Sequence, residues 1–231
     1  MTNCLPPVDY SGNPCLVALP SGTTLYRVHK KAYSADGFSP VLSHRYYGGG
    51  RFDATLDDQY SFLYAGQTLD VAIVETLLRD FDYDAKGNYI LPRSVYAGRR
   101  FSAVATVGDL ELVGMRTRSE LSSFKQSPWI THAPPAEYAQ TRHWGHWIRS
   151  KAPTAAGYVW HSRQEPELRS YVFFGDRLAG RAIEVVDDPN IPSGSAADFD
   201  TEAGLMTLRE LLEPYGVTVE DPLRVDEWID Y

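Results

Sequence analysis

The pattern of apolar and polar positions predicts three strands in the first half of the chain. Thr24 to His29 alternates between apolar and polar residues and places Arg27 within the first strand. Ser61 to Ala65 is a short apolar run, typical of a strand that ends near Tyr64. Phe101 to Val107 is the third, and we expect its valines, Val104 and Val107, to join the core.

A helical period begins directly after the second strand. Thr68 is the predicted N-cap, and Asp70 lies in the first turn, where the helix dipole favours an acidic side chain. Glu75 lies at the edge of the apolar stripe, where a carboxylate faces a cleft rather than bulk solvent. The residues that form this stripe at helical spacing are Val71, Val74, Leu78 and Phe81.

Further elements follow in the second half of the chain, and turn residues separate them. A long helix is predicted to open after Pro134 and Pro135 and to reach Ser150. Another begins at Thr201 and stops at Gly216. The remaining predicted elements are a short helix at 117–126 and two strands, at 157–162 and 170–174, that form a hairpin.

Composition shifts divide the chain into three parts. Residues 1–23 are rich in proline and glycine and predict an irregular arm with one short strand at Leu16 to Leu19. Residues 24–185 form the main domain, and residues 186–231 form a loop and a helical extension. The acidic end of that extension contains Trp228 and Ile229, which can dock on the body or on a partner.

Charge and composition exclude several classes of protein. The chain has 231 residues, 43% of them hydrophobic, which is enough for a real core. A net charge of -8 argues against nucleic acid or an anionic membrane as the main partner, although a local basic pocket remains compatible with it. Cys4 and Cys15 form no disulfide framework, and we find neither an export signal nor a membrane span. We therefore expect a cytoplasmic protein.

The candidates for catalysis or ligand binding are Arg27, the Gly48–Arg51 turn, Tyr64, Glu75 and Ser162. Each has a purely structural alternative. Arg27 fits a sheet-edge cation, Tyr64 a core aromatic and Ser162 a turn residue. Glu75 fits a surface pair with Arg79, four residues on. Taken together, arginine, an aromatic ring and a glutamate suit a nucleotide whose glycosidic bond is broken.

A metal site is a weaker interpretation of the histidines. Two of them lie three residues apart on the predicted long helix, and two others are candidates for additional ligands. No HExxH or paired-cysteine pattern accompanies them, and the neighbouring tryptophans favour amphipathic packing. We expect no metal. The four histidines are His132, His143, His146 and His161.

Four short motifs, in order, resemble the RES domain, a family named for its arginine, glutamate and serine. They are LYRV at 25–28, GGGRF at 48–52, FLYAG followed by AIVET at 62–76, and YVWHSR at 158–163. The resemblance implies an α+β fold, a mixed sheet core similar to that of ADP-ribosyltransferases with flanking helices. It also implies the toxin half of a bacterial toxin–antitoxin pair that consumes NAD by hydrolysis, phosphorolysis or ADP-ribosyl transfer.

The resemblance assigns a role to each candidate residue. Arg27 and Arg51 would hold phosphate or ribose oxygens, and Tyr64 would stack on the nicotinamide. Glu75 would bind the ribose 2′-hydroxyl and stabilise the cationic transition state, and Ser162 would orient Glu75 or the nicotinamide amide. Arg27, Tyr64 and Glu75 are thus the expected catalytic group.

The expected partners are NAD, as substrate, and a helix-turn-helix antitoxin, with a homodimer as a further option. Neither nucleic acid nor a membrane is expected. One departure from the family pattern is Asp53, which stands where many members have asparagine. Two other functions stay open: a module that senses NAD or ADP-ribose without turnover, and an interaction protein that holds a partner through its tryptophan-rich helix and acidic tail.

Overall fold

A large mixed β-sheet forms the centre of the computed structural model. The model describes residues 5–6, 12–79, 83–178, 180, 182–191 and 194–221. The strands are β1 (Leu16–Leu19), β2 (Thr24–Lys30), β3 (Phe62–Gly66), β4 (Tyr89–Leu91), β5 (Arg99–Thr106), β6 (Leu110–Gly114), β7 (Gly157–His161), β8 (Arg169–Phe174), β9 (Ile183–Val185), β10 (Ala196–Asp198) and β11 (Val217–Val219).

The order of strands in the sheet brings distant parts of the chain together. The order is β1-β6-β7-β8-β3-β2-β5-β10, and β9 also pairs with β5. The β6–β7 pair is parallel, and the other pairs of this sheet are antiparallel, so the sheet is mixed. The second sheet is a parallel pair formed by β4 and β11. This architecture confirms the predicted α+β class with flanking helices.

The helices pack around the sheet. They are α1 (Leu69–Leu77), α2 (Arg93–Tyr96), α3 (Arg118–Ser122), α4 (Trp129–His132), α5 (Tyr138–Lys151) and α6 (Glu202–Leu212). Thr68 caps α1 by accepting from the Val71 N–H, as its sequence position predicts. A short 3-10 turn at Pro135–Glu137 leads into α5, so the two prolines precede the helix without interrupting it.

Three hydrophobic clusters of described residues pack against the sheet, and two of them meet near its centre. The α5 cluster joins Trp144 and Ile148 of that helix to sheet residues that include Tyr158. The α6 cluster joins Leu205 and Leu208 to Ile73 of α1 and to β5. Tyr64 packs against the α5 cluster, whereas Tyr26 and Val28 of β2 pack against the α6 cluster. The junction between the two clusters therefore lies where β2 and β3 pair.

Most of the periodic segments are confirmed, including the short strand at Leu16–Leu19, which pairs with β6. The predicted burial of Val107 is wrong: its side chain is 46% exposed because β5 ends at Thr106. The segment expected to be only a loop, 186–200, contains β10. Phe81, Trp228, Ile229 and Cys4 lie outside the described residues. In the part of the chain that the structure describes, no helix is long and apolar enough to cross a membrane.

Candidate active site

The junction between the two clusters contains a cavity of about 400 Å³. Arg27 of β2, Arg51 of the glycine-rich turn, Tyr64 of β3 and Glu75 of α1 all line it. The fifth candidate, Ser162, lies directly after β7 and is fully buried beneath Glu75, to which its hydroxyl donates. The structure thus brings together residues that are up to 135 positions apart in the sequence (162 − 27 = 135).

Glu75 is positioned by α1 and held by two donors at the end of β7. Its Oε1 accepts from the Ser162 hydroxyl at 2.5 Å and from the Arg163 N–H at 2.8 Å. Its neighbour Val74 is 1% exposed and belongs to the core, whereas Glu75 is half-buried. The carboxylate is therefore fixed at the cavity wall rather than free in solvent.

The orientation of the Ser162 hydroxyl follows from its other partners. Its Oγ accepts from the Gln164 N–H at 3.2 Å and from the Glu165 N–H at 3.0 Å. A serine hydroxyl has one donor and two acceptor positions. With both acceptor positions occupied, its single proton points to Glu75.

The glycine-rich turn opposite Glu75 depends on its lack of side chains. Gly48 and Gly49 have φ angles of 63° and 72°, in the left-handed region that favours glycine. A Cβ on Gly50 would lie 2.5 Å from Asp53 Oδ1 and 3.1 Å from the Tyr64 hydroxyl. The turn can therefore approach Tyr64 only because these positions are glycine.

Asp53 holds this turn against β3. Its carboxylate accepts from the Gly50 N–H at 2.6 Å, from the Ser43 hydroxyl at 2.6 Å and from the Tyr64 hydroxyl at 2.9 Å. The residue is 7% exposed and is not among those lining the cavity. Its negative charge is directed into the turn, away from a ligand in the cavity.

Tyr64 presents its ring to the cavity while its hydroxyl is occupied elsewhere. The hydroxyl also accepts from the Phe52 N–H at 3.0 Å. Burial, together with the charge of Asp53, raises the pKa of Tyr64 well above its usual value, so the phenol keeps its proton. The ring meets Trp160 edge to face at 6.4 Å, and both side chains line the cavity.

Helix α5 holds the glycine-rich turn through hydrogen bonds to backbone carbonyls. The sequence pattern did not predict these contacts. Arg142 is 1% exposed and donates to the carbonyl oxygens of Gly48 at 2.7 Å, Gly50 at 3.1 Å and His44 at 2.9 Å. The Thr141 hydroxyl donates to the Arg51 carbonyl at 2.9 Å. Burial lowers the pKa of Arg142 from its usual value.

Two of the three guanidinium nitrogens of Arg27 donate hydrogen bonds to backbone carbonyls. Its Nε donates to the Tyr64 carbonyl at 3.1 Å, and its Nη1 donates to the carbonyls of Ala35 and of Gly37, the latter at 3.2 Å. Burial lowers its pKa to about 10, against an opposing effect of Asp36, so the guanidinium is charged at neutral pH. Arg27 therefore ties the 35–37 loop to β3 at the cavity.

Arg51 lies against an aromatic ring of α5. Its guanidinium carbon is 4.8 Å from the centre of the Tyr138 ring, and its Nη1 donates to the Ala133 carbonyl at 3.2 Å. Burial lowers the pKa of Arg51, while Tyr138, Glu75 and Tyr64 act in the opposite direction. Arg51 and Glu75 thus face the same cavity as opposite charges.

Two further arginines, Arg79 and Arg99, line the cavity and were not among the predicted site residues. The sequence had offered Arg79 only as a surface partner of Glu75, and Arg99 lies at the start of β5, where no local pattern marks it. Among the residues that the structure describes, the charged side chains lining the cavity are four arginines and one glutamate, in a protein whose net charge is -8. The cavity is therefore locally cationic and suits an anionic ligand.

The four candidate histidines are not among the residues that line the cavity. The His146 ring contacts the Asp53 carbonyl at 3.2 Å, and the His132 ring contacts the Pro128 carbonyl at 3.0 Å. Among the described residues, no group of three or more histidine, cysteine, aspartate or glutamate side chains is placed to hold a metal ion.

Comparison with known proteins identifies the family. Among solved structures, the chain is similar to one titled as the crystal structure of the M. tuberculosis MbcT–MbcA toxin–antitoxin complex. The match has a TM-score of 0.53 and 13% identity, and covers 84% of this chain and 91% of that chain. No curated protein sequence matches this chain. The family model described as "RES domain" matches residues 24–193. Because this match spans most of the sequence and includes all five candidate residues, the chain belongs to the RES domain family.

Proposed function

We propose that this protein is a toxin-type enzyme that cleaves the nicotinamide–ribose bond of NAD. The observation that carries the proposal is the Glu75 carboxylate, held by Ser162 and the Arg163 N–H at the wall of an arginine-lined cavity. A fixed carboxylate can bind a ribose hydroxyl and stabilise positive charge on the adjacent anomeric carbon. Nicotinamide leaves with the electrons of the broken bond and becomes neutral.

The proposed roles of the other residues follow from their contacts. The rings of Tyr64 and Trp160 offer an aromatic wall for the flat nicotinamide. Ser162 is a positioning residue, since it acts through the Glu75 carboxylate. Arg51 offers a cation near Glu75, and Arg27 holds the loop and strand that frame the cavity. We propose that the remaining guanidinium nitrogen of Arg27, Nη2, contacts the substrate.

Local charge supports a dinucleotide ligand. NAD carries two negative charges on its diphosphate, and an acidic protein binds such a ligand only where cations cluster. Four arginines line the cavity, which provides that cluster. Water, phosphate or a protein side chain would accept the ADP-ribose, and each is compatible with this arrangement.

We also propose that an antitoxin neutralises the enzyme in the cytoplasm. The support is the RES family membership and the fold shared with a protein whose structure title names a toxin–antitoxin complex. The proposed catalytic unit is residues 24–185, which contains every candidate site residue. Residues 1–23 and 186–231 are additions to it, and they contribute β1 and β10 to the same sheet.

Purified protein, separated from any bound inhibitor, is expected to release nicotinamide when incubated with NAD. Chromatography of the reaction follows nicotinamide directly, and the reaction is run in water, in phosphate and with cell extract to cover the three acceptors. Intact NAD under all three conditions, together with calorimetric binding of NAD, would replace this proposal with the sensing module.

A further inference from the structure

Ser170 is a buried serine on the sheet side of the cavity, and its hydroxyl has no hydrogen-bond partner among the residues that the structure describes. It lies in β8, is 4% exposed and lines the cavity. Ser162 differs, because its hydroxyl is bonded to Glu75, Gln164 and Glu165. A buried hydroxyl without a partner costs free energy, since it has lost its bonds to water and gained none in exchange. Ser170 therefore retains one donor and two acceptor positions for another group.

The register of the sheet directs the Ser170 side chain toward the cavity. In paired antiparallel strands, residues directly opposite each other carry their side chains on the same face. Ser170 is opposite both Trp160 of β7 and Gly66 of β3. Tyr64 lies two residues before Gly66 in β3 and so shares its face. Because Tyr64 and Trp160 form the aromatic wall of the cavity, Ser170 lies on the face that carries this wall.

Helix α1 covers the neighbouring position on the same face. A Cβ on Gly66 would lie 2.8 Å from the Ala72 nitrogen, so the first turn of the helix packs directly on this glycine. Glu75 lies three residues after Ala72 and lines the cavity. Ser170 therefore lies between Trp160 on one side and the helix that carries Glu75 on the other.

This position matches the carboxamide group of nicotinamide. In the proposed function, the flat ring lies against Tyr64 and Trp160, and its bond to ribose lies at Glu75. A ring placed in this way lies over Ser170. The carboxamide is the polar substituent of the ring and has both donors and an acceptor, as a serine hydroxyl has. Rotation about χ1 moves the Ser170 Oγ between staggered positions without moving the strand, so the hydroxyl can turn to meet the carboxamide.

We propose that the Ser170 hydroxyl forms a hydrogen bond with the carboxamide of a nicotinamide bound in this cavity. The bond supplies the partner that the hydroxyl lacks and fixes the rotation of the ring about its bond to ribose. The inference rests on the proposed function, since it concerns the same substrate, and it adds a binding residue outside the five candidates.

Calorimetry with carba-NAD and with ADP-ribose tests this contact without turnover. Carba-NAD has a methylene group in place of the ring oxygen of the nicotinamide ribose, so it forms no oxocarbenium ion and stays intact. ADP-ribose lacks the nicotinamide. In Ser170→Ala, the carba-NAD dissociation constant should rise about three- to tenfold, because one neutral hydrogen bond is lost. The ADP-ribose dissociation constant should change less than about twofold.

Thermal melts distinguish this contact from a structural role of the hydroxyl. Ser170→Ala removes no hydrogen bond between described residues and should melt no lower than the wild type. Ser102→Ala is the matched control, since Ser102 is also buried in a strand but its hydroxyl is hydrogen-bonded to the His29 ring at 2.9 Å. This control should melt lower than the wild type. A lower melting temperature for Ser170→Ala, or its failure to fold, would overturn the proposal.

An unchanged carba-NAD dissociation constant in Ser170→Ala would also overturn the contact, as would an equal rise for ADP-ribose or a wild-type protein that does not bind carba-NAD. Nicotinamide release by the wild type, with unaltered carba-NAD binding by the variant, would reject the contact and keep the enzyme. No nicotinamide release by the wild type, with weaker carba-NAD binding by the variant, would keep the contact and reject the enzyme.

Discussion

The two walls of the cavity are built in different ways. The glycine-rich turn, Gly48 to Asp53, is held from inside the protein by Arg142, Asp53 and the Tyr64 hydroxyl. The other wall contains Glu75 and is held by short hydrogen bonds, from Ser162 and the Arg163 N–H, that end on the Glu75 carboxylate itself. Substitutions that remove a bond from the first wall should change stability, and those on the second should change activity.

The difference arises from where the polar groups point. On the first wall, Arg142 and Asp53 direct their charges into the backbone of the turn and are nearly inaccessible to solvent. On the second wall, the carboxylate of Glu75 lies at the edge of α1 and lines the cavity. A buried charge that satisfies carbonyl groups is costly to remove, whereas a half-buried carboxylate can be altered with little effect on folding.

The largest effect is expected at Arg142. Arg142→Met leaves three partly buried carbonyls without this donor and removes a buried charge, and it should lower the free energy of unfolding by about 3–5 kcal/mol. Urea denaturation measures this change. Lys151→Met on the same helix is the control, and its exposed side chain should cost less than about 1 kcal/mol. Equal urea midpoints for wild type and Arg142→Met would show that the turn does not depend on this brace.

Glu75→Gln should abolish most turnover while the protein stays folded. Glutamine keeps the size and one hydrogen-bonding oxygen, but it does not offset positive charge at the anomeric carbon. We therefore expect kcat to fall at least about a hundredfold and NAD affinity to change less than about tenfold. Single-turnover rates and calorimetry supply the two numbers.

Glu167→Gln provides the matched control, because this glutamate is exposed in the loop after β7. This substitution should leave kcat and the affinity for NAD unchanged. A Glu75→Gln protein that turns over at the wild-type rate would remove the central residue of the proposed mechanism. One that melts many degrees lower would show that Glu75 is structural.

A smaller loss is expected for Ser162→Ala. This change removes the donor to Glu75 Oε1 but keeps the Arg163 N–H bond, so the carboxylate remains and loses part of its orientation. We expect kcat to fall about tenfold, with the KM for NAD nearly unchanged. Ser150→Ala, at an exposed serine, is the control. A rise in KM without a change in kcat would mean that Ser162 contacts substrate instead.

The smallest effect is expected at Tyr215, beyond the stretch that matches the family model. Burial, together with Glu165, raises the pKa of Tyr215, so its hydroxyl keeps its proton and donates to Glu165 Oε1 at 2.6 Å. Glu165 in turn donates its N–H to Ser162. Tyr215→Phe should lower kcat about two- to threefold without changing KM.

The control for this experiment is Tyr83→Phe, which removes a hydroxyl that donates to the Tyr215 carbonyl rather than to the loop. Steady-state kinetics of both variants separates the effects. Equal kcat values for the wild type and Tyr215→Phe would show that the extension, residues 186–231, does not influence the orientation of Glu75.

Local periodicity was sufficient to predict the elements that carry the site. The alternation at Thr24 to His29, the Thr68 cap and the helix after Pro135 are all present, because each depends on residues close in sequence. The family motifs then selected five residues, four of which line one cavity and the fifth of which contacts Glu75. The catalytic roles assigned to these residues remain predictions.

The features that were not predicted depend on partners far away in the chain. β4 is only three residues long and pairs with β11, more than 120 positions later (217 − 89 = 128). Arg142 resembles any polar residue of an amphipathic helix until the turn that it holds, 92 to 98 positions earlier, is known. Arg99 becomes a cavity residue only because β5 pairs with β2. The β4–β11 pair, the role of Arg142 and the position of Arg99 all depend on tertiary contacts, which no local sequence pattern predicts.

The β4–β11 pair also sets an order of events during synthesis. Every candidate site residue lies between Arg27 and Ser162, so the segment that builds the cavity leaves the ribosome before residues 217–219 exist. Until then β4 has no partner strand, and Leu91 lacks neighbours such as Val219 in the α6 cluster. Because a domain generally folds as a unit, and the α6 cluster beside the cavity includes Leu205 and Val219, we expect the cavity to be completed only when β11 pairs with β4. A nascent chain would thus acquire its site and its final stability together.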